Sequence, residues 1–489
     1  MRRIADIETS PPGDAPQALP TFTNEQVLGQ LLRWNARWAG NDIPFAFYGA
    51  RPAHMAGDSW WSGFQTFSPA QREATLRAMS LIADIVPLNF IQVPDNGQAP
   101  YGANARLTFA TSTSFPQFAT GVAYVEASTG LDLGDQHRIL GSDTLFNYTR
   151  WSGSYAEGAR PFSVLMHEIL HGLGLPHPGE YNRSANEEIT YGVHADYAQD
   201  SAQYTVMSYF GAHETGADHA GRYPGTPLLH DVMAMQALYG ANMTTRTGDT
   251  VYGFNSTAGR SALDFTQNIL PVVCLWDAGG TDTLDVSGYS VAQRIDLAQG
   301  AFSNVGGLTS NVSIAYGADI ENAVGGGGAD TISGNGLGNR LEGGAGADIL
   351  FGLGGRDVLI GGEGADWLVG GAGADSLFGG GGDDTAGFDW MGGAAKLYFL
   401  DGYVVVSGPS GVDEIYGVEW LSFLNGLVNV ERPIVCYVVE PDGAEPTAKA
   451  APTMDTPLVE PAAVGLWLEP SDDLVAAGWN APPPNDWLI

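Results

Sequence analysis

Seven consecutive nine-residue units run from Gly325 to Gly387: GGGGADTIS, GNGLGNRLE, GGAGADILF, GLGGRDVLI, GGEGADWLV, GGAGADSLF and GGGGDDTAG. A strict period of this length confines the chain to a stack of like turns and short strands, the pattern of a parallel β-helix. Glycine dominates the first four places, where a turn with positive φ aims its carbonyls at one centre. The sixth place supplies a carboxylate. Carboxylates and carbonyls together are hard oxygen donors, which suit Ca²⁺. The eighth place is aliphatic in the first six units and reads as the inward face of a strand: Ile332, Leu341, Leu350, Leu359, Leu368 and Leu377, then Ala386 in the seventh. A low-complexity Gly/Asp linker would not hold that position apolar. If two turns make one coil, each ion lies between units two apart. That pairs Asp330 with Asp348, Asp348 with Asp366, Asp366 with Asp384, and Asp357 with Asp375. The fifth pair, Asn339–Asp357, is degraded, because the second unit carries Asn335, Leu337 and Asn339 in place of Gly, Gly and Asp. Four good sites and one weak or empty site are expected.

The rest of the composition narrows the partners. The chain has 489 residues, enough for two to four domains. Its 21 basic and 55 acidic side chains give a net charge of −34, which repels nucleic acid and anionic membranes alike. No run is long enough to cross a bilayer. An apolar share of 44% still provides for real cores. Cys274 and Cys436 are the only cysteines, so there is no disulfide framework and no cysteine-type zinc site; they read as two isolated thiols. The N-terminus, MRRIADIETSPPGDAPQALP, has no apolar stretch behind its arginines and is not a Sec signal peptide. Export would need another route.

Four segments follow from the texture of the chain. Residues 1–20 read as a polar N-terminal tail or short propeptide. Residues 21–245 read as one α+β domain with a long middle stretch of loops. Val27, Leu31, Trp34 and Trp38 recur at helical spacing from Asn24 onward. Ser68-Pro69-Ala70-Gln71 is a helix start, with Ser68 as N-cap and Gln71 reaching back, and that helix runs to about Ile85 with Leu76, Met79 and Ile82 or Ala83 inward. Strands are expected at 89–93, 105–110 and 121–125, and helices at about 162–173 and 228–239. Residues 246–431 read as an all-β domain of short segments around the array, with 388–430 strand-like but without the period. Residues 432–489 form a Pro-rich acidic tail.

Residues 167–178 read HEILHGLGLPHP. His167 and His171 are four apart and project from one helix face, where they can share a metal. Gly174 allows a left-handed exit from the helix, which brings His177 round as a third nitrogen ligand. Three neutral imidazoles with an open position make a catalytic zinc site. Glu168, beside the first ligand, suits a general base. Met207 lies in YTVMSY, where a methionine packs as a soft floor beneath the imidazoles. The remaining histidines, His54, His137, His194, His213, His219 and His230, show no metal spacing and read as structural.

The extended histidine pattern with a downstream methionine resembles the metzincins. The stretches HEILHGLGLPHPGEYN, YTVMSYF, LLHDVMAMQALYGAN, TRTGDTVYGFN and WDAGGTDTLDVSGY narrow that resemblance to the serralysins, secreted bacterial metzincins with a calcium-binding C-terminal domain. They fall in order over about 165–290, with weaker likeness from about 24 to 430. The resemblance implies a fold: an α+β metzincin catalytic domain (21–245) followed by an all-β parallel β-roll, or RTX, domain (246–431). It implies that Tyr209 is an extra zinc ligand that swings away to stabilise the oxyanion. It also implies two calcium sites at the domain junction, one from Arg246, Gly248, Thr250, Asp277, Gly279 and Asp282, the other from Gly280, Asp282, Asp319 and Glu321. Arg246 can offer only its carbonyl, and Asp319 stands where the family often has a smaller polar residue. His230 departs from the family's usual acid, whereas the neighbouring Asp231 is kept. The ending Asp486-Trp487-Leu488-Ile489, one acid and three apolar residues, resembles the terminal signal of type I secretion substrates.

The expected function is that of a secreted zinc endopeptidase. The resemblance implies a monomer that meets protein substrates, the type I export machinery and a proteinaceous inhibitor. Carboxylate repulsion would keep the array unfolded until it meets calcium outside the cell. The strand at 121–125 would pair with extended substrate through its backbone. A calcium-dependent adhesion protein with a vestigial zinc site is the competing class, and a zinc amidase on the same scaffold is a third.

Overall fold

In the computed structural model the described residues are 19–429, except 102–103, 115–119, 132, 150–152, 182–188, 390–394, 401 and 425, together with the backbone of 436–437 and 448–449. The expected N-terminal tail up to residue 18, nearly all of the 432–489 tail and the Asp486–Ile489 ending lie outside the described residues. Among the described residues no helix is long and apolar enough to cross a membrane.

The N-terminal half runs α1 (Asn24–Leu31), β1 (Ala36–Arg37), β2 (Asp42–Phe47), β3 (Phe64–Gln65), α2 (Pro69–Ile85), β4 (Asn89–Gln92), β5 (Leu107–Ser112), β6 (Gly121–Ala127), β7 (His137–Asn147), α3 (Arg160–Gly172), α4 (Tyr191–His194) and α5 (Leu229–Tyr239). The strands β1, β7, β5, β2 and β4 lie side by side in parallel, and β3 joins β5 antiparallel. Strand β6 runs antiparallel to β7 and pairs with no other described strand. Helix α3 packs on α2 and against β6 and β7.

Helix α2 starts as its sequence dictates, with a capping box between Ser68 and Gln71 and Pro69 in the first turn. Met79 and Ile82 are buried, but Leu76 is 44% exposed, because the buried face is centred on Thr75, Ala78 and Ile82. The first helix is also shorter than the apolar spacing suggests. It ends at Leu31, and Asn35 turns the chain through a left-handed conformation (φ 48°). Trp34 and Trp38 therefore belong to no helix face: Trp34 stacks on His171, and Trp38 donates from Nε1 to the Gly172 carbonyl at 2.9 Å. Strand β7 occupies ground that reads as loop in the sequence, and β2 lies where no element was expected.

From residue 251 the chain winds through short strands of two large sheets, with Val273–Leu275, Phe302–Ser303 and Val312–Ile314 forming a small third sheet beside them. One holds Val251–Gly253, Thr283–Asp285, Asn322–Val324, Arg340–Ala345, Val358–Glu363 and Ser376–Gly381; the other holds Arg294–Asp296, Thr331–Ser333, Ile349–Gly355, Trp367–Gly373 and Thr385–Gly387. Within each sheet every repeat strand pairs in parallel with the one eighteen residues on, so Leu341 faces Leu359 and Leu359 faces Leu377. The eighth-position residues Ile332, Leu341, Leu350, Leu359, Leu368, Leu377 and Ala386 are all fully buried. Positive φ is confined to the second and fourth places of the turns, as at Gly362 and Gly364. Leu353 takes the second place of its unit at φ 77°. The first glycine is needed for a different reason: a Cβ on Gly361 would lie 2.3 Å from Asp366 Oδ2 and 2.6 Å from the Gly379 carbonyl.

Candidate metal centre

Helix α3 presents His167 and His171 one turn apart, then stops within two residues. Leu173 closes the last turn, and Gly174 leaves it at φ 111°. No other residue fits there, since a Cβ on Gly174 would sit 2.2 Å from the Ala36 carbonyl oxygen. The Leu175 amide returns to the Leu170 carbonyl at 3.0 Å, and the chain swings His177 back over the helix. Arg33 fixes the returning segment, donating to the carbonyls of His177 and Gly179.

The three imidazoles converge. His177 Nε2 lies 3.1 Å from His171 Nε2 and 3.2 Å from His167 Nε2. Each Nδ1 faces a backbone carbonyl: Val206 at 2.8 Å for His167, Leu175 at 2.6 Å for His171 and Tyr181 at 3.1 Å for His177. A carbonyl only accepts, so each ring carries its proton on Nδ1 and turns a bare Nε2 lone pair inward. Burial lowers the His167 pKa to about 4. Burial and then mutual repulsion push His171 and His177 well below the usual range. Zn–N bonds of about 2.0–2.1 Å place tetrahedral corners about 3.3 Å apart, so this donor set fits zinc. Among the described residues it is the one group of three or more His, Cys, Asp or Glu side chains whose ligand atoms all lie within 4.8 Å of one another.

Glu168 follows His167 on α3. It is 4% exposed, its Oε2 has no hydrogen-bond partner, and burial pushes its pKa up to about 8. The first residue of β6 lies against it: a Cβ on Gly121 would meet the Glu168 carboxylate at 2.4 Å. The Tyr209 ring stands 4.4 Å from the His177 ring centroid and 6.2 Å from that of His167, and the residue is 42% exposed. Met207 is fully buried beneath the site.

Asp231 is a residue whose part was not legible in the sequence. Fully buried at the start of α5, it accepts from the Val206 and Leu228 amides, both at 2.8 Å, and from the Thr205 hydroxyl. The Thr205 hydroxyl it holds in turn accepts the Met207 amide at 3.0 Å, and that amide shares a peptide unit with the Val206 carbonyl that orients His167. His230, beside it, stacks on Tyr204 and has no ligand role in the cluster. His54 pairs with buried Asp143 at 2.7 Å, well within a structural network that includes Tyr48 and Tyr101.

Residues 241–397 match the family described as Peptidase M10 serralysin C terminal. Serralysin C of Dickeya chrysanthemi is 40% identical over 324 residues, which cover 64% of this chain and 64% of that protein. The serralysin of Proteus mirabilis is 38% identical over 344 residues, covering 66% and 67%. Metallopeptidase AprA of Pseudomonas marginalis is 38% identical over 332 residues, covering 65% and 67%. The chain belongs to the serralysin family. It spans just under two thirds of the length of the first of these relatives.

In this member of the family the sixth-position aspartates form a ladder. The amides of Asp330, Asn339, Asp348, Asp357 and Asp366 donate to Oδ1 of Asp348, Asp357, Asp366, Asp375 and Asp384. These are the five pairs read from the period, joined amide to carboxylate. Oδ2 of Asp348, Asp357, Asp366, Asp375 and Asp384 is buried and unpartnered in every case. At Asp348, Asp357, Asp366 and Asp384 that oxygen and one backbone carbonyl oxygen both crowd the same first-place glycine, a pair of hard oxygens that fits a hard cation. Asp330 differs, since its Oδ2 accepts the Gly326 amide at 2.7 Å.

At the junction, Asp282 Oδ1 accepts the Thr250 amide at 2.7 Å while its Oδ2 is buried without a partner. Glu321 accepts the Asp282 amide, and Asp277 holds the Gly279 amide and the Tyr252 hydroxyl. A Cβ on Gly280 would strike the Gly248 carbonyl group. Arg246 turns its guanidinium away to Asp84, Tyr252 and the Trp276 carbonyl, leaving only its own carbonyl for a cation. The Asp319 side chain is exposed and bound to Gln299 at 2.7 Å, so its carboxylate is not part of the cluster. Cys274 is a buried free thiol, its pKa raised to about 12 by burial; the Cys436 side chain lies outside the described residues.

Proposed function

We propose that this chain is a secreted zinc-dependent endopeptidase that cleaves extended stretches of extracellular proteins. The observation that carries the reading is the convergence of three Nε2 lone pairs, each ring oriented by a backbone carbonyl, beside a buried carboxylate. Zinc held by His167, His171 and His177 would supply Lewis acidity toward water and the scissile carbonyl. Glu168 takes the proton from the attacking water and later passes it to the leaving amine; burial raises its proton affinity in the ion-free site, and a cation on the neighbouring histidines would restore the ionised form that a base needs. Tyr209, at the rim and partly exposed, donates its hydroxyl to the developing oxyanion. The open edge of β6 binds substrate as an added strand, and the contact between Gly121 and Glu168 sets the start of that edge beside the base. Backbone pairing of this kind tolerates many side chains.

Residues 246–431 act as a calcium-folded β-roll. Five buried carboxylate oxygens without partners support that reading, as does the cluster around Asp277, Asp282 and Glu321. The array stays unfolded during type I export, where calcium is scarce, and folds outside. The test of the catalytic reading is Glu168→Gln on casein or a peptide library. The exchange should lower the rate by about 10²–10⁴-fold with zinc content unchanged. Cleavage by that variant at the wild-type rate would sink the mechanism.

A further inference from the structure

The nine-residue period stops at Gly387, yet the two-sheet winding does not. Lys396–Leu400 and Tyr403–Ser407 form an antiparallel hairpin, after which the chain re-enters the stack. Val412–Tyr416 pairs in parallel with the Ser376–Gly381 strand, setting Leu377 against Ile415. Trp420–Phe423 pairs in parallel with Thr385–Gly387. The re-entering sequence is GPSGVDEIY, from Gly408 to Tyr416. It has glycine in the first and fourth places, Asp413 in the sixth and Ile415 in the eighth. This is an eighth unit, delayed by the twenty residues 388–407. Gly411 has φ 155°, close to the 153° of Gly373 one coil earlier. Asp413 is 2% exposed, and its Oδ1 accepts the Asp375 amide at 3.1 Å, thirty-eight residues away where the array uses eighteen.

One step further, the geometry of an array site recurs with donors from outside the repeat. Asp384 is fully buried; its Oδ1 accepts the Asp366 amide and its Oδ2 has no partner. A Cβ on Gly379 would lie 2.5 Å from that Oδ2 and 2.1 Å from the Gly417 carbonyl oxygen. Inside the array a Cβ on Gly361 would likewise meet Asp366 Oδ2 and the Gly379 carbonyl, and one on Gly352 would meet Asp357 Oδ2 and the Gly370 carbonyl. Gly417 thus stands where the first glycine of a further unit belongs. The Asp384 amide donates to Glu419 Oε2 at 2.7 Å, the bond that a sixth-position aspartate makes elsewhere. That bond spans thirty-five residues instead of thirty-eight. The turn is three residues short, and the extra methylene of glutamate makes up the reach.

We propose that Asp384, Gly417 and Glu419 close a terminal calcium site, so that the last ion ties the segment 408–423 to the array. The inference rests on the reading that the array itself takes calcium. Its donors are of the same kind: an unpartnered buried carboxylate oxygen, a backbone carbonyl and a second carboxylate, all hard oxygens. Residues that follow a twenty-residue interruption thereby become a cap whose order depends on the ion.

The experiment compares Asp384→Asn with Asp366→Asn and the wild type in the full chain. Asparagine keeps Oδ1, and with it the ladder bond, but puts an amide nitrogen where the cation would be. Bound calcium is counted by calorimetric titration, and hydrogen exchange is followed at the amides of 408–423. Asp384 also stands in the Asp366–Asp384 pair, so the terminal site is read from the 408–423 amides, which in Asp384→Asn should exchange fast at any calcium level. Glu419→Gln retains an acceptor for the Asp384 amide and should weaken the last ion by about tenfold; it decides the matter if Asp384→Asn does not fold. Wild-type exchange at 408–423 in the Asp384 variant and wild-type affinity for every ion in the Glu419 variant, with an ion lost in Asp366→Asn, would overturn the terminal site alone. No loss in Asp366→Asn either would overturn the calcium reading of the whole array.

Discussion

Asp231 lies outside the histidine trio, yet the structure ties it to His167. Its carboxylate holds two buried amides, Val206 and Leu228, and the Thr205 hydroxyl. Alanine would leave both amides buried without acceptors, at about 1–3 kcal/mol each. With the small cavity left behind, about 3–5 kcal/mol of stability should go. The Thr205 hydroxyl would also lose its anchor and with it a fixed hold on the Met207 amide, freeing the Val206–Met207 peptide whose carbonyl orients His167. Loss of such support typically weakens a metal by about 10–100-fold. Asparagine should be far milder. Its Oδ1 can take the two amides while its nitrogen donates to the Thr205 hydroxyl, which has a lone pair to spare. There is also a pH signature. Burial raises the Asp231 pKa to about 6 in the folded chain, above its ordinary 3.8. A raised carboxylate value means the fold favours the protonated form, so that stabilisation is full below about pH 4 and is lost as pH rises through about 6. A rise of that size corresponds to about 3 kcal/mol as an upper bound. The amide introduced by Asp231→Asn never ionises, so this variant should gain on the wild type as pH rises from about 4 to about 7. Thermal unfolding of the full chain and competition with a zinc-binding dye supply the two readouts. Zinc affinity within twofold of wild type in a folded Asp231→Ala would refute the coupling between Asp231 and His167.

Gly174→Ala combines a left-handed φ of 111° with a Cβ 2.2 Å from a carbonyl oxygen, and should cost about 2–4 kcal/mol and displace His177, seen as lost zinc in the purified protein. Leu353→Asn relieves a left-handed, half-exposed leucine and should raise stability in calcium by about 0.5–1 kcal/mol, measured by urea unfolding. Burial holds Asp348, Asp357 and Asp384 at about 6 in the ion-free fold. These raised values favour the protonated ion-free array below about pH 4, a preference lost as pH rises through about 6, so calcium binding near pH 5 should release protons and be weaker than at about pH 7.5, as calorimetry in two buffers would show.

The parts most legible in the sequence are those where one local rule decides the structure. Ser68 and Gln71 announce a capping box because both partners lie within one turn. His167, His171 and His177 are readable because a helix and one glycine fix their relative places. The eighth-position leucines follow from the period alone. What was not legible depends on distant partners. Strand β2 contains Pro44 and little alternation, because as a parallel strand between β4 and β5 it is buried largely on both faces. Trp38 follows helical spacing but is claimed by the Gly172 carbonyl across the fold. Asp231 looks like an ordinary first-turn acid until Val206 is brought to it. The eighth unit was hidden by a hairpin inserted between it and the seventh.

The two proposed metal regions differ in what they ask of the fold before any ion arrives. In the histidine site each Nδ1 is already bonded to a carbonyl, and each Nε2 is a neutral acceptor that burial penalises little. In the array, five carboxylate oxygens are buried with no partner. At about 1–3 kcal/mol or more for each, they cost roughly 5–15 kcal/mol, as much as the whole stability of an ordinary domain. The histidine site should therefore outlast loss of its ion, whereas the array should not. Phenanthroline should abolish proteolysis and leave the thermal transition of the catalytic half almost in place. A calcium-selective chelator should release the strands from residue 325 onward, visible as fast hydrogen exchange there. The buried cluster is continuous from Met235 through Leu284 to Leu341, and Tyr204 packs on Phe302, so that loosening should reach the catalytic half as a lowered unfolding temperature. An array that keeps its slow exchange after calcium is stripped at neutral pH would mean that the orphan oxygens have found protons or water instead, and the argument from their cost would fail.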